Sequence, residues 1–289
     1  MKNKNCIICN KKKFTSTFPF STHFNKKIFY YKKCLNCNFV KIDPYPNKKD
    51  LEILYDNKSY HGKFYSNMES TEYKLSVEYL NSFCKKRARL LDFGCGNGHF
   101  IKEIQNKYKC YGVEYDLDTI KQCRKTLTKA TFLENKTIKK KKFNNFFDVV
   151  HLGDVLEHVV NPDSLLNKLH KKIKKNGLLY LEGPIERNFS IINLSIILFG
   201  NIKKLIKPNL KNNFKPYHLY FCNFNNQLLM IKKTKKYEII KYEIYETGWP
   251  YNSGGIIKKS LAKVAIFFSK INIFGFKIGN RARIVCKKI

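Results

Sequence analysis

The run Leu-Asp-Phe-Gly-Cys-Gly-Asn-Gly at 91–98 constrains this chain more than any other stretch. Asp92, Gly94, Gly96 and Gly98 form D-x-G-x-G-x-G at the end of a short apolar segment, Leu90 to Phe93. A helical pattern follows from His99 to Tyr108. A strand, a glycine turn and a helix start make the corner of an open α/β sheet that cradles a phosphate or a cofactor. Each glycine lets the backbone approach a ligand, or take positive φ, where a Cβ would clash. A dinucleotide fingerprint would place its third glycine at His99, so that pattern fails.

Strand and helix patterns alternate through the rest of the chain. Cys110 to Tyr115 reads as a second strand, with Glu114 near its end, about twenty residues past the glycines, where a carboxylate can accept ribose hydroxyls. Leu117 to Leu127 is a helix, and Ala130 to Leu133 a third strand ending at Glu134 and Asn135. Phe146 to Leu152 is a fourth strand. Pro162 opens a helix over Asp163 to Lys172, as proline does in a first turn. Gly177 to Glu182 is a fifth strand closed by Gly183-Pro184, and Asn223 to Lys232 is helical. Tyr237 to Glu246 and Arg281 to Lys287 supply the last two strands, with the amphipathic Ile256 to Ile271 between them. This order predicts an α/β fold: a seven-stranded, mainly parallel sheet with helices on both faces. Residues 185–216 interrupt it. They hold the apolar Ile191 to Phe199, then Lys203, Lys204 and Lys207. So long a connection is often a lid or binding loop. An apolar stretch flanked by lysines can also make peripheral contact with a membrane surface, and an ordinary helix packed on the sheet is the plainer alternative.

Cys6-x-x-Cys9 and Cys34-x-x-Cys37 are two C-x-x-C pairs separated by 24 residues. Such knuckles can set four thiolates tetrahedrally around one Zn²⁺, a structural metal because its shell is closed. The metal would supply folding energy that some forty residues cannot obtain from a core. Ile28 to Lys33 reads as a strand entering the second knuckle. The expected organisation is a zinc ribbon at 1–45, a helical linker at 46–87 and a catalytic domain at 88–289, with 185–216 as a lid-like insertion.

The net charge of +34 invites nucleic acid or an anionic membrane as a partner. Nearly all the cations are lysine, however, spread along a chain also rich in Asn and Ile, which reads as compositional bias. Readers of phosphates and bases lean on the bidentate fork of Arg. The run Lys139 to Lys142 is read as a solvated loop. The lysine-rich start has no apolar signal region behind it, and the apolar stretch Phe189 to Gly200 is too short to span a bilayer. Ten cysteines in that setting point to a reducing cytoplasm rather than a disulfide framework. The oligomeric state is left open.

The aspartate opening the glycine loop, the G-x-G-x-G spacing and the acidic end of the second strand resemble class I S-adenosylmethionine (SAM)-dependent methyltransferases, whose sheet is Rossmann-like. The segment Gly-Asp-Val-Leu-Glu-His-Val at 153–159 resembles the motif after their fourth strand. The cysteine pairs, Val40-Lys-Ile-Asp-Pro-Tyr-Pro, Leu51 to Tyr55 and Tyr60 resemble a recurrent arrangement of zinc ribbon, proline pair, short helix and tyrosine-rich linker before such a domain. Many of those proteins act on surface glycans and sugar nucleotides. The domain is also similar to ubiquinone-pathway O-methyltransferases, which have lipid-like acceptors and an insertion after strand five. The resemblance implies that Asp92 and the glycines wrap the methionine and ribose portions of SAM. Glu114, or less directly Asp116, would hold the ribose hydroxyls. Glu134 and Asn135 would lie near the adenine, and Leu152 and Gly153 near the sulfonium.

Methyl transfer from a sulfonium needs alignment and water exclusion, and a hydroxyl or carbon acceptor must also lose a proton. Imidazole has a suitable pKa. His158 is the first candidate base, with Glu157 as its orienting partner. His218, in Tyr217-His-Leu-Tyr, is the second. A packing or capping role is the alternative for each. The expected function is methylation of a small hydroxylated metabolite, a sugar or glycan precursor. An RNA methyltransferase and a SAM-binding scaffold without turnover are the alternatives; no Arg-aromatic stripe supports the first.

Overall fold

The computed structural model describes residues 5–55, 70–209, 211–271 and 277–289. The middle of the expected linker, including Tyr60, lies outside them.

The chain opens with a hairpin, β1 (Phe14–Phe24) and β2 (Lys27–Cys34), followed by β3 (Val40–Asp43). Helix α1 (Lys48–Leu54) begins at a reciprocal cap: Asn47 accepts the Asp50 N–H while Asp50 accepts the Asn47 N–H. After α2 (Ser70–Asn81), the alternating region runs β4 (Arg89–Phe93), α3 (His99–Ile104), β5 (Lys109–Glu114), α4 (Leu117–Thr126), β6 (Thr131–Glu134), α5 (Asn135–Ile138) and β7 (Phe147–Gly153). It continues through α6 (Pro162–His170), β8 (Ile173–Pro184), α7 (Ile191–Ile206), β9 (Tyr220–Phe221), α8 (Phe224–Lys233), β10 (Tyr237–Tyr245), α9 (Ile256–Ser269) and β11 (Arg281–Lys288).

Seven strands form one sheet in the order β10-β11-β8-β7-β4-β5-β6. The pairs from β8 to β6 are parallel, and β11 runs antiparallel to both its neighbours. Strands β4 and β7 are apolar on both faces, as central parallel strands must be. Leu90, Val149, Tyr180 and Val285 point to one face, where Val77 and Leu80 of α2 and Phe100, Ile101 and Ile104 of α3 cover them. Leu91, Val150, Leu152 and Leu179 point to the other, against Leu165, Leu166 and Leu169 of α6 and Met230 and Ile231 of α8. Helices therefore cover both faces, as the sequence pattern requires.

The N-terminal strands join this structure. β9 adds to β3 to make a second sheet, ordered β1-β2-β3-β9. Phe29, Tyr31, Phe39, Val40 and Ile42 share one apolar cluster with the main sheet. Within the 185–216 insertion, α7 buries only Ile192 and Asn193. It leans on α9, and Gly200 lies directly against the Phe18 ring of β1. Leu198, Phe199, Leu205 and Ile206 stay exposed, so α7 stands off the sheet.

Candidate active site and cysteine cluster

The glycine corner follows β4. Gly94 and Gly98 have φ of +82° and +76°. A Cβ at either would lie 2.6 Å from a side chain, Val155 for Gly94 and Leu127 for Gly98. Both positions therefore require glycine. The Gly96 N–H donates to Glu114 Oε2 at 2.9 Å, and the Tyr115 N–H to Oε1 at 2.5 Å. A carboxylate has lone pairs beyond these, so Glu114 closes the loop and can still accept ligand hydroxyls. Asp116 caps α4, accepting the Thr119 N–H at 2.7 Å. Glu134, at the end of β6, pairs with the exposed Lys136 at 2.9 Å, and Asn135 starts α5. Leu152 is buried near the end of β7, and Gly153 ends that strand.

A second group joins Asp92 to His151, Glu182 and Arg281, which the sequence reading did not single out. His151 sits opposite Asp92 in the β4–β7 pairing, and its Nδ1 lies 2.8 Å from Asp92 Oδ1. Both residues are buried, and the His151 ring stacks on Phe100 with centroids 4.0 Å apart. Burial opposes the charged imidazole, but the carboxylates of Asp92, Glu182 and Asp154 together outweigh it and raise the His151 pKa. Asp92 thus lines the cleft with its carboxylate already engaged. Glu182 of β8 accepts from Ser76 of α2 at 2.6 Å and from Arg283 at 3.4 Å. Arg281 holds Asp154 at 2.7 Å. Together with Gly94, His99 and Gly153, Asp92, His151, Glu182, Asp154 and Arg281 line one cleft at the carboxyl end of the sheet. This is where open α/β sheets bind ligands. The clue in the sequence was charge inside otherwise apolar strands.

The third group adjoins that cleft. After β7 the chain makes a single 3₁₀ turn, Leu156–His158. A Cβ on Gly183 would lie 3.6 Å from Glu157 Oε2 and 3.9 Å from Asp154 Oδ1, which places Glu157 beside a cleft residue. His158 Nδ1 donates to the Tyr217 carbonyl at 2.9 Å, and the Tyr55 hydroxyl donates to the same oxygen at 2.7 Å. The His158 and His218 rings meet edge to face, with centroids 4.9 Å apart. His218 Nδ1 lies 2.5 Å from Glu186 Oε1. Burial, with the charge of Asp154, pushes Glu157 up to about 8. Burial, with the charge of His218, pushes His158 down to about 3. Burial also opposes charge on His218, but the carboxylates of Glu186, Glu157 and Asp154 together lift it to about 9. The structure thus brings Glu157, His158 and His218 together, and adds Glu186 and Tyr55.

A family model described as a methyltransferase domain matches residues 64–210. The chain belongs to that family. It is a SAM-dependent methyltransferase. Solved structures share the fold. A chain from a complex between a methyltransferase and its activator protein from Haloferax volcanii aligns with TM-score 0.55 at 8% identity, covering 80% of this chain and 97% of that one. A SAM-dependent methyltransferase from Methanosarcina mazei aligns with TM-score 0.52 at 14% identity, covering 73% and 97%. A Pyrococcus horikoshii protein aligns with TM-score 0.51 at 14% identity, covering 80% and 98%. No curated protein matches the chain in sequence.

The methyltransferase's own residues fit SAM. The three positive-φ glycines, Gly94, Gly96 and Gly98, leave the backbone of the corner open to a ligand, and Glu114 offers acceptor oxygens beside them. In the N-terminal part, Cys6, Cys9, Cys34 and Cys37 place their sulfurs within 4.8 Å of one another. The Cys6–Cys37 and Cys9–Cys34 separations are both 3.6 Å. Four sulfurs about 2.3 Å from a tetrahedral zinc would lie about 3.8 Å apart, so the spacing fits that ion. The hydrogen bond between Cys6 and Cys37 brings the Cys6 thiol down to about 5 and pushes Cys37 up, and burial raises Cys34, so it is the sulfur geometry that fits the ion. No helix among the described residues is long and apolar enough to cross a membrane.

Proposed function

We propose that the methyltransferase transfers the methyl group of SAM to an oxygen of a small hydroxylated acceptor, a sugar or glycan precursor, in the cytoplasm. The observation that carries this reading is the group Glu157, His158, His218 and Glu186 beside Asp154 at the edge of the cleft. SAM supplies an activated methyl group on a sulfonium, so the protein has to orient the acceptor, exclude water and accept a proton. Gly94, Gly96, Gly98 and Glu114 hold the donor, with Glu134 and Asn135 near the adenine and Leu152 and Gly153 near the sulfonium. His158 is uncharged at neutral pH. Its Nδ1 is held on the Tyr217 carbonyl, which turns Nε2 toward Glu157 at 3.8 Å. Burial leaves that nitrogen too weak a base to deprotonate a resting hydroxyl, so it accepts the acceptor's proton only as methyl transfer makes the oxygen cationic and strongly acidic. His218, fixed by Glu186, orients the acceptor from the opposite side.

The four cysteines hold a structural zinc that stiffens the β1-β2-β3-β9 sheet. The preference for a sugar rests on the combination of this ribbon with a methyltransferase domain. The experiment is to incubate the protein with methyl-labelled SAM and fractionated cell extract. Label in a small, nuclease-resistant, acid-soluble fraction supports the reading. Label in RNA overturns it and makes the +34 charge functional.

A further inference from the structure

His151 and Glu182 each leave one polar atom unsatisfied inside the cleft. His151 gives its Nδ1–H to Asp92, and its Nε2 makes no hydrogen bond among the described residues. Glu182 Oε2 accepts from Ser76 and Arg283, and its Oε1 makes no hydrogen bond among them either. The two atoms face each other at 3.8 Å, too far apart to bond directly. Their side chains are 5% and 6% exposed, and polar atoms so buried are costly unless something satisfies them. Against the cost of burial, the carboxylates of Asp92, Glu182 and Asp154 favour the charged imidazole, in which Nε2 carries a proton. The gap therefore has a donor on one side and an acceptor on the other.

A hydroxyl group completes it. The hydroxyl oxygen accepts from Nε2–H and its hydrogen goes to Oε1, at about 2.8 Å from each. An ammonium would set a like charge against the imidazolium, and a carboxylate would set one against Glu182. The gap also lies to the acceptor side. The glycine corner and Glu114 belong to β4 and β5, whereas His151 is on β7 and Glu182 on β8, with β11 beyond. A Cβ on Gly153 would lie 3.2 Å from His151 Nε2, so the gap adjoins the place proposed for the sulfonium. Successive strand residues point to opposite faces. Glu182 and the Glu157–His158 turn beside Gly183 therefore approach the cleft from its two sides.

We propose that His151 and Glu182 form a subsite for a second hydroxyl of the acceptor, one that is held and not methylated. The inference deepens the proposed function and rests on its hydroxylated acceptor. It makes the acceptor a polyol, and the anchored hydroxyl decides which neighbouring hydroxyl meets the methyl group. Glu72 and Tyr245 line the same cleft and suit the mixed hydroxyl and C–H surface of a sugar.

The test is binding without turnover. S-adenosylhomocysteine (SAH), the demethylated donor, fills the donor site. Saturation-transfer NMR then reports on D-glucose, D-galactose, D-mannose and myo-inositol as probes. At least one should bind the SAH-loaded wild type. Glu182→Gln should bind the same polyol about 10–100-fold more weakly, with SAH affinity and circular dichroism unchanged. Ser76 and Arg283 both donate to Oε2, so the new amide nitrogen takes the Oε1 position and turns a donor to the subsite. The wild type alone gives a second readout. Among monodeoxy analogues of the bound polyol, at least one should lose binding by the same factor, because a site built for a hydroxyl rejects the analogue lacking it. No polyol bound by the wild type, equal binding by Glu182→Gln, or deoxy analogues that all bind like the parent overturns the subsite. Loss of SAH affinity in Glu182→Gln with polyol binding kept assigns the two atoms to the donor, and overturns it too. Methyl transfer is not measured, so failed binding leaves the methyl-transfer reading standing, and the reverse also holds.

Discussion

The Leu219 N–H donates to the Glu157 carbonyl at 2.8 Å, and this bond sets His218 beside His158. The Leu219 carbonyl in turn accepts the Ile42 N–H at 3.0 Å, and the β3–β9 pairing begins one residue later. The N-terminal sheet is thus connected, one backbone bond at a time, to the turn that carries Glu157 and His158. Its cysteines lie close behind: Asn226 donates to the Cys37 carbonyl at 3.0 Å.

That connection predicts that the cysteines matter for turnover although they lie outside the cleft. Cys9→Ser or Cys34→Ser should lower the melting temperature and loosen β3 from β9. Displacement of His218 by about 1 Å should slow methyl transfer by about 10²-fold. SAM affinity, measured by calorimetry, should stay close to wild type because the glycine corner belongs to other strands. Loss of SAM binding in step with turnover would contradict this separation.

Gly98→Ala should have the opposite effect. The residue sits at φ +76°, and the new Cβ would meet Leu127 at 2.6 Å. A non-glycine residue held there costs about 1–3 kcal/mol in backbone strain alone. SAM affinity should fall at least tenfold, while the zinc content of the cysteine cluster is unchanged.

The buried Asp92–His151 pair should be structural and pH-dependent. Removing one member of a buried pair costs about 3–5 kcal/mol, so Asp92→Ala should sharply lower the unfolding midpoint in urea. The folded pKa of His151 is raised above its usual 6.5. Its contribution is therefore fully present below pH 6.5 and is lost as pH rises through the folded value. Asp92 on β4, Glu182 on β8 and Asp154 after β7 supply the negative charge that sets this sign. The stability difference between wild type and His151→Gln should shrink as pH rises above 6.5. A difference that grows over this range would reverse the assignment.

Asp50 should act at the acid end. It is buried, and although burial opposes its charge, Lys27 at 2.7 Å, Asn25 and the Asn47 N–H lower its pKa below the usual 3.8. A depressed carboxylate stabilises the fold above its unfolded pKa and loses that contribution as pH falls through the folded value. Asp50→Asn should cost about 2 kcal/mol at neutral pH, the scale of hydrogen bonds to a charged group. The cost should shrink as pH falls below 3.8, as read from denaturant midpoints.

Much of the sheet was legible because its strands are apolar runs between turn residues, and Gly94, Gly96 and Gly98 mark the corner. The start of β8 was not. It begins at Ile173, ahead of Lys174 and Lys175, and its pairing with β7 shifts register between Phe147 and Val149. Lysines at a solvated strand end carry no period-two signal. The long β1 was missed for a similar reason, since its pairing with β2 shifts register between Ser16 and Ser21. β9 has only two residues and no periodicity, so the link between the N-terminal sheet and His218 could not be read from pattern. Glu157 and His158 stood out because they adjoin a recognisable motif. Glu186 did not, because its partner His218 is far away in sequence.

The most direct measurement is methyl transfer by the wild type and His158→Ala, side by side, from labelled SAM into fractionated extract. The account predicts label in a small acid-soluble product with the wild type. It predicts a rate about 10²–10⁴-fold lower with the variant, at unchanged SAM affinity. Label in RNA, or equal rates from the two proteins, would contradict it.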